Sequence, residues 1–420
     1  MDEIKCDLML LTGIFLLKFS VFFSWMSRKN ILWIGPIPSV LVSFFIPVII
    51  FGNYFYSIDN VYEVYSYMIF FGGVSFLIGI LLGRYIPMIS FGLYPTASYI
   101  SSSQYTNMLR KYVLYLLVIS CVGMIISFII MGFVPMFAAD PLNAKFFRGE
   151  YHDKYMRIAI LYRLSSQLIP ILIPISIVLL YKKFNLILSF WVFISLIVLA
   201  LTLQRVSFAS GVLSALMIIS AFKGRMYLVV YIFIYILIFI FGSALSAILG
   251  IGVNMTGGID LRAILLGAPD LFDQLTFLRK FLVEKEYTYG MTFWGGLVPG
   301  AYQWNPSVYT LHVVNDGADI NGLASGGLRL LSPVWGFVSF GYVGVVLVPF
   351  FSGIVSSIYV KMIRKYSNDI IKYTIMVTYY NIFIGFFINF YTMSMYSLPN
   401  MMFLFFLIYS NNLIMKKKIN

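Results

Sequence analysis

The chain has 420 residues, of which 61% are hydrophobic and 11% are charged. Soluble domains are roughly 45 to 50% apolar and about 25% charged, so this composition excludes an ordinary soluble protein and predicts an all-α polytopic integral membrane protein. The net charge of +13 comes without a basic run, a zinc-ligand spacing or an aromatic-basic strand motif, so we expect no nucleic acid partner.

Eleven apolar stretches, taken in chain order, provide the roughly 20 residues that a spanning helix needs. They lie near residues 8–25, 31–52, 66–83, 112–131, 158–180, 185–203, 206–222, 226–250, 335–359, 371–390 and 395–414. Alternate loops hold sixteen basic residues against one acid, Asp369. The positive-inside rule therefore places these loops in the cytoplasm, the amino terminus outside and the carboxyl terminus inside.

Within the single transmembrane domain expected for 1–420, two outer segments are long: 132–157 and 251–334. The second contains "DLFDQLTFLRKFLVE", in which Leu271, Leu275, Leu278 and Leu282 share one helical face. This pattern predicts an amphipathic helix lying at the membrane interface. The small-residue pattern "GGVSFLIGILLG" predicts close packing of the third spanning helix.

Arg205 interrupts the apolar stretch "IVLALTLQRVSFASGVLSALMI", at a tight outer hairpin or just below the surface. A buried arginine there costs roughly 2.5 to 3.5 kcal/mol on insertion scales, so an anionic partner is expected. The planar guanidinium fits phosphate bidentately. The alternative is a side chain that extends to the lipid headgroups.

Arg329 lies between a glycine-rich turn and Pro333, which opens the next helix. Gly326 and Gly327 allow a close approach of the backbone. A phosphate near this helix start would meet Arg329 and free backbone donors together. The alternative role is an interfacial anchor.

Four further outer arginines extend the predicted electropositive cleft, or are solvated surface charges: Arg262, Arg279, Arg148 and Arg157. His312 is a candidate general base near neutral pH, with a structural histidine as the alternative.

Acid pairs and cysteines give little sign of a metal site. The acid pair Asp270 and Asp273 is interpreted as helix capping, and Asp316 with Asp319 as a polar turn. Only Cys6 and Cys121 are present, and no HExxH, CxxC, Walker or GxSxG motif occurs, so we expect no metal and no cofactor.

The sequence resembles the bacterial O-antigen polymerase family in three features. These are "QRVSFASGVLSAL" at the start of a helix, a long outer loop, and "GGLRLLSPVWGFVSFGYVGVVLVPFFSGI" ahead of a late helix. The layout covers most of the chain, and the close motif covers about forty residues. Family members carry an arginine, ten intervening residues and a glycine in outer loops, a spacing that Arg279 and Gly290 match, whereas Arg148, Arg157 and Arg329 do not.

The resemblance implies a GT-C-type membrane glycosyltransferase of the bacterial inner membrane, with both long segments in the periplasm. It would join undecaprenyl-pyrophosphate-linked oligosaccharide repeat units, and its partners would be these lipids, the membrane and, optionally, a chain-length regulator protein. The leaving group is already a pyrophosphate, so positioning and charge stabilisation suffice without metal. In this hypothesis Arg205 and Arg329 hold the donor pyrophosphate, Arg262 or Arg279 supports them, and His312 takes the acceptor proton.

Two other functions stay open at this stage. An O-antigen ligase would use the same donor with the lipid A core as acceptor. A lipid-linked oligosaccharide flippase would show paired repeats and charges near the membrane midplane. The gathering of arginines on the outer side favours an outer-face enzyme.

Overall fold

A computed structural model describes residues 2–58, 60–87, 103–248, 270–284, 286–298, 300–315 and 327–389. In these residues the secondary structure is helical and contains no strand, which confirms the all-α class. Six helices are long and apolar enough to cross a membrane: Glu3–Ser24, Ile31–Ile50, Val61–Gly83, Thr106–Met131, Ala159–Lys182 and Ser332–Lys365. Within the same ranges, three shorter apolar helices are Leu186–Leu201, Ala209–Lys223 and Arg225–Ile238.

In the described residues the elements are short and long helices. They are α1 (Asp2–Phe19), α2 (Ile31–Ile34), α3 (Pro36–Val40), α4 (Ile46–Ile58), α5 (Val61–Gly83), α6 (Ser103–Met131), α7 (Pro141–Phe146), α8 (Glu150–Met156), α9 (Ala159–Lys182), α10 (Leu186–Leu201), α11 (Arg205–Lys223), α12 (Arg225–Ile248), α13 (Asp270–Glu284), α14 (Met291–Trp294), α15 (Pro306–Val314), α16 (Ser332–Lys365) and α17 (Ile370–Asn389). One π-helical turn, Leu41–Phe45, joins α3 to α4.

The predicted spans agree with these helices in position. The six long helices coincide with the first five predicted stretches and with the ninth. The sixth to eighth stretches coincide with the three shorter apolar helices, and the tenth with α17. The stretch 395–414 lies outside the described residues, so the total of eleven crossings stays a prediction, as does the orientation of the termini.

Contacts divide the chain into two compact units. The first comprises Met1–Pro87, Ile232–Lys361 and Ile384–Ser394, and the second comprises Met88–Tyr231, Met362–Phe383 and Met395–Asn420. The single transmembrane domain predicted from the sequence thus contains two units, and both carry candidate spanning helices.

In the first unit, α5 packs against α1 through glycines. A Cβ built at Gly13 would lie 2.5 Å from the carbonyl oxygen of Ile69, and one at Gly73 would lie 2.6 Å from the carbonyl oxygen of Gly13. Only hydrogen side chains permit two helix backbones to approach this closely. The close packing predicted from "GGVSFLIGILLG" is therefore confirmed for this pair of helices.

The other side of α5 packs against α16 in the same way. A Cβ at Gly72 would lie 2.3 Å from Pro333 Cγ, and one at Gly79 would lie 2.1 Å from the carbonyl oxygen of Phe350. The Ser75 hydroxyl also donates a 2.6 Å hydrogen bond to the carbonyl of Val346. Two helices, α1 and α16, are thus held at backbone distance from α5.

The helix α16 is broken at Phe340 and Gly341, whose backbone angles are not helical. A Cβ at Gly344 would lie 1.9 Å from the carbonyl oxygen of Gly336, although residues eight apart in a straight helix are about 12 Å apart. The chain therefore reverses, and residues 332–339 form a short arm that folds back on 342–365. The single continuous helix expected over 335–359 is corrected accordingly.

The carboxyl end of this arm is bound by residues 288 and 289, which precede it in the chain. The amide of Thr288 donates to the carbonyl of Val338 at 2.9 Å, and the amide of Tyr289 donates to that of Ser339 at 3.1 Å. These bonds satisfy carbonyls that the end of a helix leaves without partners.

In the second unit, α9 packs against α6, α10 and α11. A Cβ at Gly123 would lie 2.4 Å from the Ser165 hydroxyl oxygen, so small residues again set the spacing. The segment 132–157, predicted to lie outside, is folded, with α7 and α8 in it. Its side chains form an aromatic core in which the rings of Phe147 and Tyr155 stack with centroids 3.9 Å apart.

We expect Gly79→Ala to lower the free energy of unfolding by about 1 to 3 kcal/mol, because the new Cβ would meet a backbone atom that cannot move cheaply. Thermal unfolding in detergent measures the change. Ile78→Ala is the matched control on α5, since Ile78 is 46% exposed and should shift stability by less than about 0.5 kcal/mol. Equal stability of the two variants would contradict the close contact.

Candidate functional site

Arg329 lies beside two carboxylates at the start of α13. Its Nη1 is 3.1 Å from Asp270 Oδ1, and its Nε is 3.7 Å from Asp273 Oδ2. The backbone amide of Arg329 also donates to Asp273 Oδ2 at 3.4 Å. The side chains are 50% exposed for Arg329, 28% for Asp270 and 20% for Asp273. The result is a charged cluster at the surface of the first unit, partly sheltered from solvent.

The segment 327–331 is held on α13 and α15 by short contacts. Gly327 lies against the backbone of Ser307, where a Cβ would be 2.3 Å from the Ser307 Cα. The amide of Leu328 donates to the Thr310 hydroxyl at 3.0 Å, and the amide of Leu331 donates to Gln274 Oε1 at 3.2 Å. The close backbone approach predicted for Gly327 is confirmed, whereas Gly326 lies outside the described residues.

The helix α13 has the predicted apolar face, and that face is covered by protein. Leu271, Leu275 and Leu278 are at most 5% exposed, and α13 packs against α5 and α15. Both acids lie in its first turn as predicted, but their carboxylates contact Arg329. Its placement at the membrane interface stays a prediction.

Burial raises the pKa of the Asp273 carboxyl from 3.8 to about 6, because desolvation penalises the charged form. The Arg329 guanidinium opposes part of this rise, and Asp270 adds to it. Asp273 therefore exchanges its proton close to neutral pH, which is the range useful for acid-base chemistry.

Lys18 and Tyr65 join the cluster from the candidate spanning helices. Both lie within electrostatic range of Asp270, as does Tyr235 of α12, which also lies within range of Arg329. Lys18 lies within the first predicted stretch, 8–25. An ionisable residue inside a membrane span is a functional candidate in itself, and that signal could have identified it.

The chain on either side of two cluster members packs against the middle of α5. Pro333, four residues after Arg329, contacts Gly72, which is about 17 Å from the start of α5 at 1.5 Å per residue. Leu16, two residues before Lys18, contacts the next residue, Gly73. Arg329 thus has protein carboxylates as partners, and its role as a ligand-binding residue or an interfacial anchor stays a prediction.

Arg205 begins α11 in the second unit. It follows a short turn after α10 in which Leu203 has a φ of +57° and Thr202 donates its hydroxyl to the carbonyl of Leu199 at 2.6 Å. A short turn thus joins α10 to α11 at Arg205, whereas its placement on the outer side stays a prediction. Arg205 and Arg329 belong to different units, so each is described within its own unit.

The arginines of the segment 132–157 also lie in the second unit. The Arg148 guanidinium lies over the Phe146 ring, 5.2 Å from its centroid, and Arg157 is exposed at the end of α8. Arg163, which received no role from the sequence, contacts the Tyr155 hydroxyl and lies over its ring at 5.6 Å.

The remaining predicted residues are placed as follows. Arg279 is exposed on α13, and Arg262 lies outside the described residues. Gly290, which completes the predicted arginine-to-glycine spacing, has a φ of +82° before α14, a conformation that glycine adopts freely. His312 is half-buried in the last turn of α15, the helix that packs against α13. Asp316 and Asp319 lie outside the described residues.

Comparison with known proteins gives no match: no family model matches the chain, and none was found among curated proteins or solved structures.

The pH dependence of stability tests the environment of Asp273. Between pH 4 and 6 the folded protein binds more protons than the unfolded chain, because the folded pKa is the higher one. Asp273 therefore lowers stability as the pH rises through this range, by about 2 to 3 kcal/mol in all, and the loss is complete above pH ~6. Asp273→Asn removes this contribution.

We expect the stability of Asp273→Asn relative to the wild type to increase by that amount between pH 4 and 7, measured by thermal unfolding at each pH. Asp369→Asn, on the loop before α17, corrects for general effects of losing a carboxylate. A difference that does not change with pH would contradict the raised pKa.

Proposed function

We propose that the protein is a membrane glycosyltransferase that joins lipid-pyrophosphate-linked oligosaccharide repeat units into a polysaccharide. The observation that carries this proposal is the cluster of Arg329, Asp270, Asp273 and Lys18 among candidate spanning helices. It combines cations with a carboxylate whose pKa is raised to about 6.

The chemistry needs two kinds of group. Cations must stabilise the pyrophosphate that leaves, and an acceptor hydroxyl must lose its proton. Arg329 has half of its side chain exposed, so its guanidinium can bind an anion while it also contacts the two carboxylates. Carboxylates that stand beside a sugar hydroxyl accept its hydrogen bond.

The finer proposal follows the resemblance to O-antigen polymerases. Arg205 and Arg329 bind the undecaprenyl pyrophosphate, Arg262 or Arg279 supports the glycan, and Arg148 and Arg157 extend the basic surface. The reaction takes place on the periplasmic face of the bacterial inner membrane, with a chain-length regulator as an optional partner. Supporting this, Arg205 opens a helix after a tight turn, where the first backbone amides have no partner within the helix.

A transporter is the second candidate, and a specific observation favours it. Transporters of lipid-linked or charged substrates use interrupted helices and charges near the middle of the bilayer. The break in α16 at Phe340 and Gly341 and the position of Lys18 share these features. A ligase, which differs in its acceptor alone, is the third candidate.

The decisive experiment uses purified protein in proteoliposomes supplied with the native lipid-pyrophosphate repeat unit. Products are separated by chain length. We expect a ladder from the wild type and single repeats from Arg205→Ala, because losing the guanidinium removes binding of the leaving pyrophosphate. Arg225→Ala is the matched control: Arg225 also opens a helix, α12, but belongs to a loop predicted to be cytoplasmic.

Each outcome has a clear meaning. An unchanged ladder from Arg205→Ala would return Arg205 to the role of a headgroup anchor and leave the polymerase in place. Loss of the ladder from Arg225→Ala as well would show a general structural effect. If the wild type makes no ladder, transfer to lipid A core would identify a ligase, and movement of the intact lipid across the bilayer would identify a transporter.

A further inference from the structure

The acid pair at the start of α13 offers more than a stabilising contact for Arg329. The two recorded contacts of the Asp273 carboxylate, the Arg329 amide at 3.4 Å and Nε at 3.7 Å, both go to Oδ2. Within the described residues Oδ1 has no hydrogen-bond partner. One oxygen of the carboxylate is therefore held in place by Arg329, while the other can contact a ligand, since the Asp273 side chain is 20% exposed.

A second observation points to a polar ligand at the same place. The hydroxyl of Tyr65 is fully buried and has no hydrogen-bond partner among the described residues, although its electrostatic neighbour is Asp270. Asp270 Oδ1 is buried as well, but it is ion-paired with Arg329 at 3.1 Å, so Tyr65 is the unsatisfied group. An unsatisfied buried donor or acceptor costs about 1 to 3 kcal/mol, so such atoms commonly mark the position of a ligand or water.

The chemistry of these atoms selects the ligand class. Tyr65 supplies a hydroxyl that donates or accepts, and Asp270 and Asp273 supply acceptors. A sugar carries adjacent hydroxyls that match this set of donors and acceptors. The two carboxylates and Tyr65 thus fit the acceptor sugar, whereas the pyrophosphate, which carboxylates repel, would contact the exposed side of the Arg329 guanidinium.

We propose that Asp273 is the general base that removes the proton from the acceptor sugar hydroxyl, while Arg329 holds its carboxylate and Asp270 and Tyr65 bind neighbouring hydroxyls. This inference rests on the glycosyltransferase function proposed above. It gives to Asp273 the role that the sequence suggested for His312.

The step balances as follows. The acceptor O–H bond breaks and its proton passes to the free oxygen of Asp273. The hydroxyl oxygen forms a bond to the anomeric carbon of the donor sugar. The bond from that carbon to the pyrophosphate breaks, and the lipid pyrophosphate leaves with the electron pair. Asp273 then returns the proton to water.

The charged and titratable groups around the pair come from several elements. Arg329 lies before α16, and Asp270 is on the same helix as Asp273. Lys18 of α1, Tyr65 of α5 and Tyr235 of α12 act on Asp270. His312 is on α15, which packs against α13. A base surrounded in this way should be ionised above pH ~6, so turnover should fall as the pH drops through that value.

The test measures kcat and KM for the acceptor with the full-length protein in proteoliposomes. We expect Asp273→Asn to lower kcat by about 10²-fold or more with little change in donor binding, and Asp270→Asn to act mainly on the acceptor KM. Val283→Ala, at an 82% exposed position of α13, should leave both constants unchanged. His312→Ala is measured in parallel.

Several results would overturn the proposal. One is an Asp273→Asn variant with the kcat of the wild type, and another is a loss of kcat confined to His312→Ala. An equal loss of kcat in Asp273→Asn and Asp270→Asn would indicate an ion pair that has no catalytic role. The pH profile of the wild type requires no variant to fold: a fall in kcat near pH 6 supports Asp273, and a flat profile contradicts it. If the wild type forms no product, the glycosyltransferase proposal itself is rejected. If the wild type forms a normal ladder and Asp273→Asn is equally active, only the role of Asp273 as general base is rejected.

Discussion

Backbone-to-backbone packing around α5 is the contact on which the first unit depends. Lipid tails are as apolar as leucine, so spanning helices gain little from burying side chains and associate through van der Waals packing instead. Glycines at 13, 72, 73 and 79 bring α1 and α16 to within contact of α5. Because Pro333 docks on Gly72, the same packing determines where the chain before α16 runs, and so where Arg329 lies.

The charged cluster is tolerable because its members compensate one another. A lone arginine or lysine among apolar helices is expensive, whereas two cations with two carboxylates reduce the net charge that must be desolvated. The compensation is incomplete at Asp273, because burial outweighs the attraction of Arg329 and leaves the pKa near 6. Because the free energy of burying the charged carboxylate is not fully offset, this carboxyl can exchange a proton close to neutral pH.

Much of the fold could be predicted from the sequence, because it depends on local patterns. Hydropathy located the helices, the small residues of α5 indicated close packing, and the leucines of α13 indicated its buried face. The break at Phe340 and Gly341 was missed because both residues sit inside an apolar run that reads as one span. Hydropathy measures polarity, and it carries no information about a change of chain direction.

The site was only half predictable for a related reason. Arg329 drew attention because a charge stands out in an apolar neighbourhood, but its carboxylate partners are 56 and 59 residues away in sequence. The position of Asp270 and Asp273 at a helix start is accounted for by helix capping, so the sequence does not indicate that they also contact Arg329. Lys18 is a single charge in an apolar stretch, and the sequence around it does not indicate its partner. Pairing across such distances is decided by tertiary packing alone.

The reversal within α16 also resolves a problem of hydrophobic mismatch. All 34 residues in one straight helix would extend about 51 Å, well beyond a hydrocarbon core of about 30 Å. Folding the arm back leaves about 24 residues, or about 36 Å, which a modest tilt accommodates. The length of the remaining helix thereby matches the hydrocarbon core without thickening of the membrane. The apolar residues of the arm contact protein instead of lipid.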